Sequence, residues 1–137
     1  MQDLHHSMTS LVGMDLAAIT SDTTTVGNII DRAAKEAVEF VILSGTVTDG
    51  SYAPLVEHGD AANLSDAATV PATELLGTAA EATIGAGDDD QAGKKIGYMG
   101  GKRYVRLSLV STGTTTGGTN MGSVVVLGHP AHVGIPV

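Results

Sequence analysis

The chain has no cysteine and no tryptophan, one phenylalanine, three tyrosines and four prolines, and only seven of its 137 residues are basic. Without cysteine there is neither a disulfide framework nor a thiolate metal site, which excludes zinc knuckles and thiol catalysis and leaves the compartment open. Phe40, Tyr52, Tyr98 and Tyr104 are the whole aromatic set, so the core must come from Val, Ile, Leu, Met and Ala, and a thin core is expected. A formal charge of −8 argues against a nucleic-acid binder, which normally carries a basic excess to neutralise phosphates. No apolar run approaches the roughly 20 residues of a membrane span. The opening MQDLHHSMTS lacks the basic start and apolar stretch of a secretory signal. The expectation is a protein made in the cytoplasm, with no nucleic-acid or membrane partner.

What the chain does have is glycine, 18 of them, and long Thr/Ser-rich stretches between short apolar runs. That pattern predicts a turn-rich, all-β single domain, with seven or eight short strands forming a compact sandwich, jelly roll or barrel. Residues 1–10 read as an N-terminal arm, 11–127 as the β-rich domain, and 128–137 as an extended tail whose two prolines keep it from adding fully to a sheet. Within 28–43, a short turn or helix is expected over the helix formers at 31–37. A mostly buried strand follows, with Val38, Phe40 and Ile42 on one face and Glu39, Val41 and Leu43 on the other. The Asp-Gly pair in TDGS, 48–51, predicts a β-hairpin into YAPLVEHG. TELLGT and EATIG are apolar enough to pair as short strands, and Asp88, Asp89 and Asp90 are placed in a loop. Two further strands join around Gly100-Gly101, and MGSVVVLGHP supplies the last.

Lys94, Lys95, Lys102, Arg103 and Arg106 are five of the seven cations within thirteen residues. Period-2 alternation puts Val105, Leu107 and Leu109 on one face of their strand, and Tyr104, Arg106 and Ser108 on the other. The cluster can therefore orient an electrostatic contact, or it can form salt bridges on the outside of a sheet. Reversing Lys102 and Arg106 to Glu is expected to leave the fold intact. The Thr/Gly tract after this strand reads as a connection to the next strand, not a ligand cradle.

Other motifs fail on spacing. His129 and His132 lie three apart, but Pro130 between them opposes a helix and no third ligand is evident. The acidic run at 88–90, with Asp60 and Asp66, does not match a calcium loop. GGKR at 100–103 has Ile96 where a Walker loop needs Gly and Arg103 where it needs Ser or Thr. No Gly-x-Ser-x-Gly elbow occurs, and no carboxylate pair recommends itself. Asn63-Leu64-Ser65 satisfies the glycosylation sequon, which carries no weight without a secretory signal. No enzyme, metal or cofactor is expected.

MQDL at the start, FVILSGTVTDGSYAPLVEHGDAANLSDAATV in the middle, KKIGYMGGKRYVRLSLVSTGTTTGG, and the ending VVVLGHPAHVGIPV carry a likeness over most of the chain. In that order they resemble a group of small virion structural proteins of tailed bacteriophages and prophages, typically encoded beside the major capsid protein. The stretch DRAAKEAVEF, 31–40, is more charged than the apolar strand usual there. The resemblance implies a decoration or cement protein that binds the outer surface of an HK97-like capsid, with the major capsid protein as partner. It also implies a homo-oligomer, commonly a trimer. Under that reading the terminal segments are the natural straps, with Gln2, Asp3, Leu4 and His5 at one end and His129, Pro130, His132 and Ile135 at the other. Lys102, Arg103 and Arg106 are a second candidate contact. The alternatives are a neck, connector or tail-associated protein of the same virion, and a carbohydrate-binding β-sandwich.

Overall fold

The computed structural model describes residues 4–33, 35–88, 94–115 and 119–130, with the backbone alone at 129 and 130. Its described residues form eleven strands, one helical turn and one 3-10 turn. The helical turn α1 is Leu4–Ser7, and the strands are β1 Met8–Ile19, β2 Thr24–Thr25, β3 Ile30–Asp31, β4 Lys35–Ser44, β5 Ser51–Gly59, β6 Ala68–Thr69, β7 Leu75–Leu76, β8 Ile84–Gly85, β9 Lys94–Tyr98, β10 Tyr104–Thr112 and β11 Thr119–Pro130. They make two antiparallel sheets, one ordered β1-β11-β4-β9-β7 and the other β2-β10-β5-β6, with β3 also on β10 and β8 also on β5.

The pairings are nested. β1 lies on β11, β2 and β3 on β10, β4 on β9, and β5 on β8. A long antiparallel ribbon rolled on itself produces this order, which is the jelly roll among two-sheet architectures. The long strands β4, β5, β9, β10 and β11 therefore alternate between sheets along the chain. This corrects the hairpin expected at Asp49-Gly50, because β4 and β5 belong to different sheets and the turn crosses the sandwich edge. Gly50 does take the left-handed conformation, φ +86°, and a Cβ there would lie 2.4 Å from Thr114 Oγ1. Glycine is needed on both counts.

Alternation builds the core as expected on the long strands. Val38, Phe40 and Ile42 of β4, Val105, Leu107 and Leu109 of β10, and Met121, Val125 and Leu127 of β11 are all buried. Three of the four aromatic rings, those of Phe40, Tyr52 and Tyr98, lie fully inside, so scarce aromatic area is spent almost wholly on the core. Each buried large apolar side chain stabilises by roughly 1.5–3 kcal/mol relative to exposure.

Other boundaries differ from expectation. Over 31–37 the expected turn forms, the Lys35 N–H donating to the Arg32 carbonyl at 2.9 Å, with no helix among the described residues; β3 ends at Asp31, and β4 begins at Lys35 because its pairing with β11 runs back to Pro130 opposite Lys35. The last residues of the expected arm, Met8 to Ser10, already belong to β1, opposite Gly128 to Val126. Positions 128–130 likewise belong to β11. TELLGT and EATIG yield only the two-residue strands β7 and β8, and these pair with β9 and β5 on opposite sheets, not with each other.

Candidate functional site

Three cations of the basic cluster, Lys102, Arg103 and Arg106, are paired within the chain. The register of β10 on β5 sets Arg106 opposite Glu57, and Arg106 Nη2 donates to Glu57 Oε1 at 2.8 Å with both side chains about a fifth exposed. β3 places Asp31 beside Arg103, whose Nε and Nη2 both donate to its carboxylate at 2.9 Å. That paired hydrogen bond, helped by the Ala33 N–H, holds the Asp31 carboxyl below its usual range. Lys102 Nζ lies 2.6 Å from Asp60 Oδ2. Of the two possibilities for this cluster, salt bridges on the outside of a sheet are what the fold contains.

The end of the sandwich below these ion pairs is tied by one network. Arg32 donates to the carbonyl oxygens of Lys102, Lys35 and Gly100, and its guanidinium lies 5.5 Å from the centre of the Tyr98 ring. Tyr98 Oη accepts from the Lys102 N–H at 3.0 Å and sits 2.9 Å from His58 Nδ1. Burial raises the Tyr98 phenol above its usual value. Because His58 is on β5 and Tyr98 on β9, this contact joins the two sheets. Glu74 Oε2 stands 3.6 Å from His58 Nδ1, and a Cβ on Gly100 would meet that oxygen at 2.7 Å. An open cleft of about 330 Å³ is lined by His58, Asp60, Glu74, Gly101 and Lys102. Within it Lys102 is held by Asp60 and His58 by Tyr98, whereas Glu74 Oε2 is buried without a hydrogen-bond partner.

The opposite end is fastened by carboxylates. Asp22 accepts from the N–H groups of Gly113 and Thr114, at 3.1 and 2.7 Å, and Asp49 accepts from the Thr115 N–H at 2.6 Å. Thr114 Oγ1 reaches the Tyr52 hydroxyl at 3.3 Å. The described part of the Thr/Gly tract is thus a capped connection between β10 and β11. Sequence reading missed Asp22 and Asp49, which lie 66 to 92 positions from the groups they cap. At the tip beside them, Asp88 accepts from the Gly85 N–H, and Asp89 and Asp90 lie outside the described residues.

Of the contact residues nominated from sequence, Leu4, His5, Lys102, Arg103, His129 and Pro130 fall at one end of the roll. Met8 pairs with Gly128, so α1, with Leu4 and His5 exposed, stands beside the last residues of β11, where His129 and Pro130 lie. β4 begins against that same end of β11, and the Arg32 network links it to Lys102 and Arg103. Arg106 lies farther along β10. Gln2, Asp3, His132 and Ile135 lie outside the described residues.

A second surface was not anticipated. Cross-strand partners share a face, so the outside of the five-stranded sheet can be read as rows. Val12, Val124, Val41 and Lys95 form one row; Ser10, Val126, Glu39, Gly97 and Leu76 form the next. Gly122 and Leu43 form a third, and the bulged backbone of β1 at Met14 to Leu16 passes over Gly122, where a Cβ would lie 3.2 Å from Leu16 Cα. Val12 is 56% exposed, Leu16 73%, Leu43 45% and Leu76 55%. On β4 the second face is half-covered, with Glu39 and Val41 part-buried and Leu43 exposed. The signal was present in FVIL and SVVVLG, where apolar residues occupy both parities. Burial pushes the Glu39 carboxyl up, and Lys95 partly offsets this.

Among the described residues no group of three metal-ligating side chains converges, and no helix is long and apolar enough to cross a membrane. Comparison with known proteins finds no matching family model, curated protein or solved structure.

Proposed function

We propose that this protein is a non-enzymatic virion structural subunit that decorates and stabilises the outer surface of an HK97-like phage capsid. The reading starts from the sequence resemblance, since a jelly roll hosts many functions and names none. The observation that supports it best is the gathering of the first and last described segments, Leu4–Ser7 and the end of β11, at one end of the body. Straps leaving a rigid body side by side can engage one capsid site together, and identical sites repeated over a shell multiply a modest contact. Lys102 and Arg103 stand at that end as exposed ion pairs. Exposed pairs are worth little individually, so they can exchange partners with a charged capsid surface at small cost.

A sugar-binding module fits less well. Stacking on a sugar ring needs open aromatic faces, and Phe40, Tyr52 and Tyr98 are buried while the Tyr104 ring lies 5.2 Å from the Arg103 guanidinium.

Electron cryomicroscopy of the phage particle produced by the genome that encodes this chain tests the proposal. Hundreds of symmetric copies on the head exterior, seated by the end that holds α1 and the close of β11, are expected. A ring of about a dozen at the portal or tail would replace decoration by a neck role, and absence from the particle would end both readings.

A further inference from the structure

We infer that the outer face of the β1-β11-β4-β9-β7 sheet is an interface with a second copy of this chain, packed face to face across a two-fold axis. The first ground is composition. The central rows described above are Val, Leu, Gly and Ser apart from two charges, Glu39 and Lys95, on a molecule of formal charge −8. Solvent-facing sheets normally alternate polar residues outward, and an open apolar sheet face is an association surface.

The second ground is charge arrangement. Glu39 pairs with Gly97 and Lys95 with Val41, so the acid and the base lie on a diagonal across neighbouring strands. A two-fold axis running between the faces and bisecting that diagonal sets each Glu39 against the Lys95 of the other copy. One acid and one base are the least a face can carry and still complement itself in this way. A foreign partner would have to supply the same pair in mirrored order; a second copy supplies it automatically.

The third ground is size. At about 4.8 Å between strands and about 3.3 Å per residue, the three rows over four strands cover on the order of 400 Å² per copy. That is roughly half of one partner's share in a standard interface. The dimer is therefore weak and concentration-dependent, and it gains where copies are already held close together. The inference does not depend on the capsid role.

Sedimentation velocity of the purified full chain, from low to high micromolar concentration, is the test. The unmodified chain should pass from monomer to dimer. Val12→Glu and Leu43→Glu, both at exposed positions, should weaken association at least tenfold with unchanged melting temperature. Glu39→Lys and Lys95→Glu should each weaken it alone, and an equimolar mixture of the two should recover a heterodimer. That mixture guards against misfolding of the apolar variants, since recovery of a heterodimer requires both charge variants to be folded. A monomer at every concentration, a trimer or larger assembly, or variants that dimerise as well as the parent would each overturn the inference.

Discussion

The two outer faces of this sandwich are built from the same kind of strand and end up as opposites. Outside the second sheet, Arg106 meets Glu57 across the ladder and Ser108 is buried, its hydroxyl accepting from the Gly27 N–H at 3.4 Å. Charge on that face is matched strand to strand, and the chain itself covers part of it. Outside the first sheet, Val12, Val41, Val124 and Val126 line up across three strands, Val12 56% exposed and the other three half-buried, beside the bulge of β1 at Gly122. The lesson is that cations conspicuous in sequence, Lys102, Arg103 and Arg106, can be paired within the chain, while an inconspicuous run of valines contributes the apolar outer face.

The contrast can be broken most strongly through β4, which serves the core with one face and solvent with the other. Phe40→Ala should cost about 3–5 kcal/mol in denaturant unfolding, because it empties a fully buried site. The outward neighbour behaves differently: Leu43→Ser should shift stability by no more than about 0.5 kcal/mol while acting on self-association.

On the charged face, Arg106→Glu should cost about 2 kcal/mol, between the value of an exposed pair and that of a buried one. It would set two carboxylates opposite each other where both side chains are about a fifth exposed. The Lys102 reversal, at a side chain 45% exposed, should be close to neutral, so the two reversals together lower stability and leave the fold intact.

Smaller and opposite in sign are the pH effects. Asp31 is held low by Arg103, so its stabilisation is present above the ordinary carboxylate value near 3.8 and is lost as pH falls through the lowered one. Asp31→Asn should therefore lower the melting temperature at pH 7 and do nothing at strongly acid pH. Glu39 is pushed up by burial, so its favourable contribution is full below the ordinary value of 4.5 and fades as pH rises through the raised one. Glu39→Gln should raise the melting temperature at pH 7 and leave it unchanged at strongly acid pH. Both effects should stay under about 1 kcal/mol, since neither carboxyl is deeply buried. Thermal melts across pH read both signs, and equal signs would collapse the contrast between the faces.

Much of this was legible before the fold. The all-β class, the inward sets on β4 and β10, and the salt-bridge alternative for the basic run follow from period-2 patterning and composition. The hairpin at Asp49-Gly50 was misread because a positive-φ glycine specifies a tight reversal without saying which sheet receives the chain afterwards. β7 and β8 were overestimated for a related reason: two-residue strands exist only because β9 and β5 offer them an edge.

The candidate surfaces divide in the same way. The terminal segments were nominated one by one, and their meeting beside Met8 and Gly128 depends on β1 pairing with β11 across more than a hundred positions. Lys102, Arg103 and Arg106 were visible as charges, but their partners Asp60, Asp31 and Glu57 lie 42, 72 and 49 residues away.

By itself the sequence determined what is local: which residues alternate, where the backbone can reverse, that the charge is acidic, and that the core is aliphatic with very few rings. Only the tertiary structure decided which sheet each strand joins, which cations are neutralised, and which of two apolar faces stays open. The physical reason is that side-chain direction repeats every two residues along one strand, whereas partnership is settled by register between strands remote in the chain.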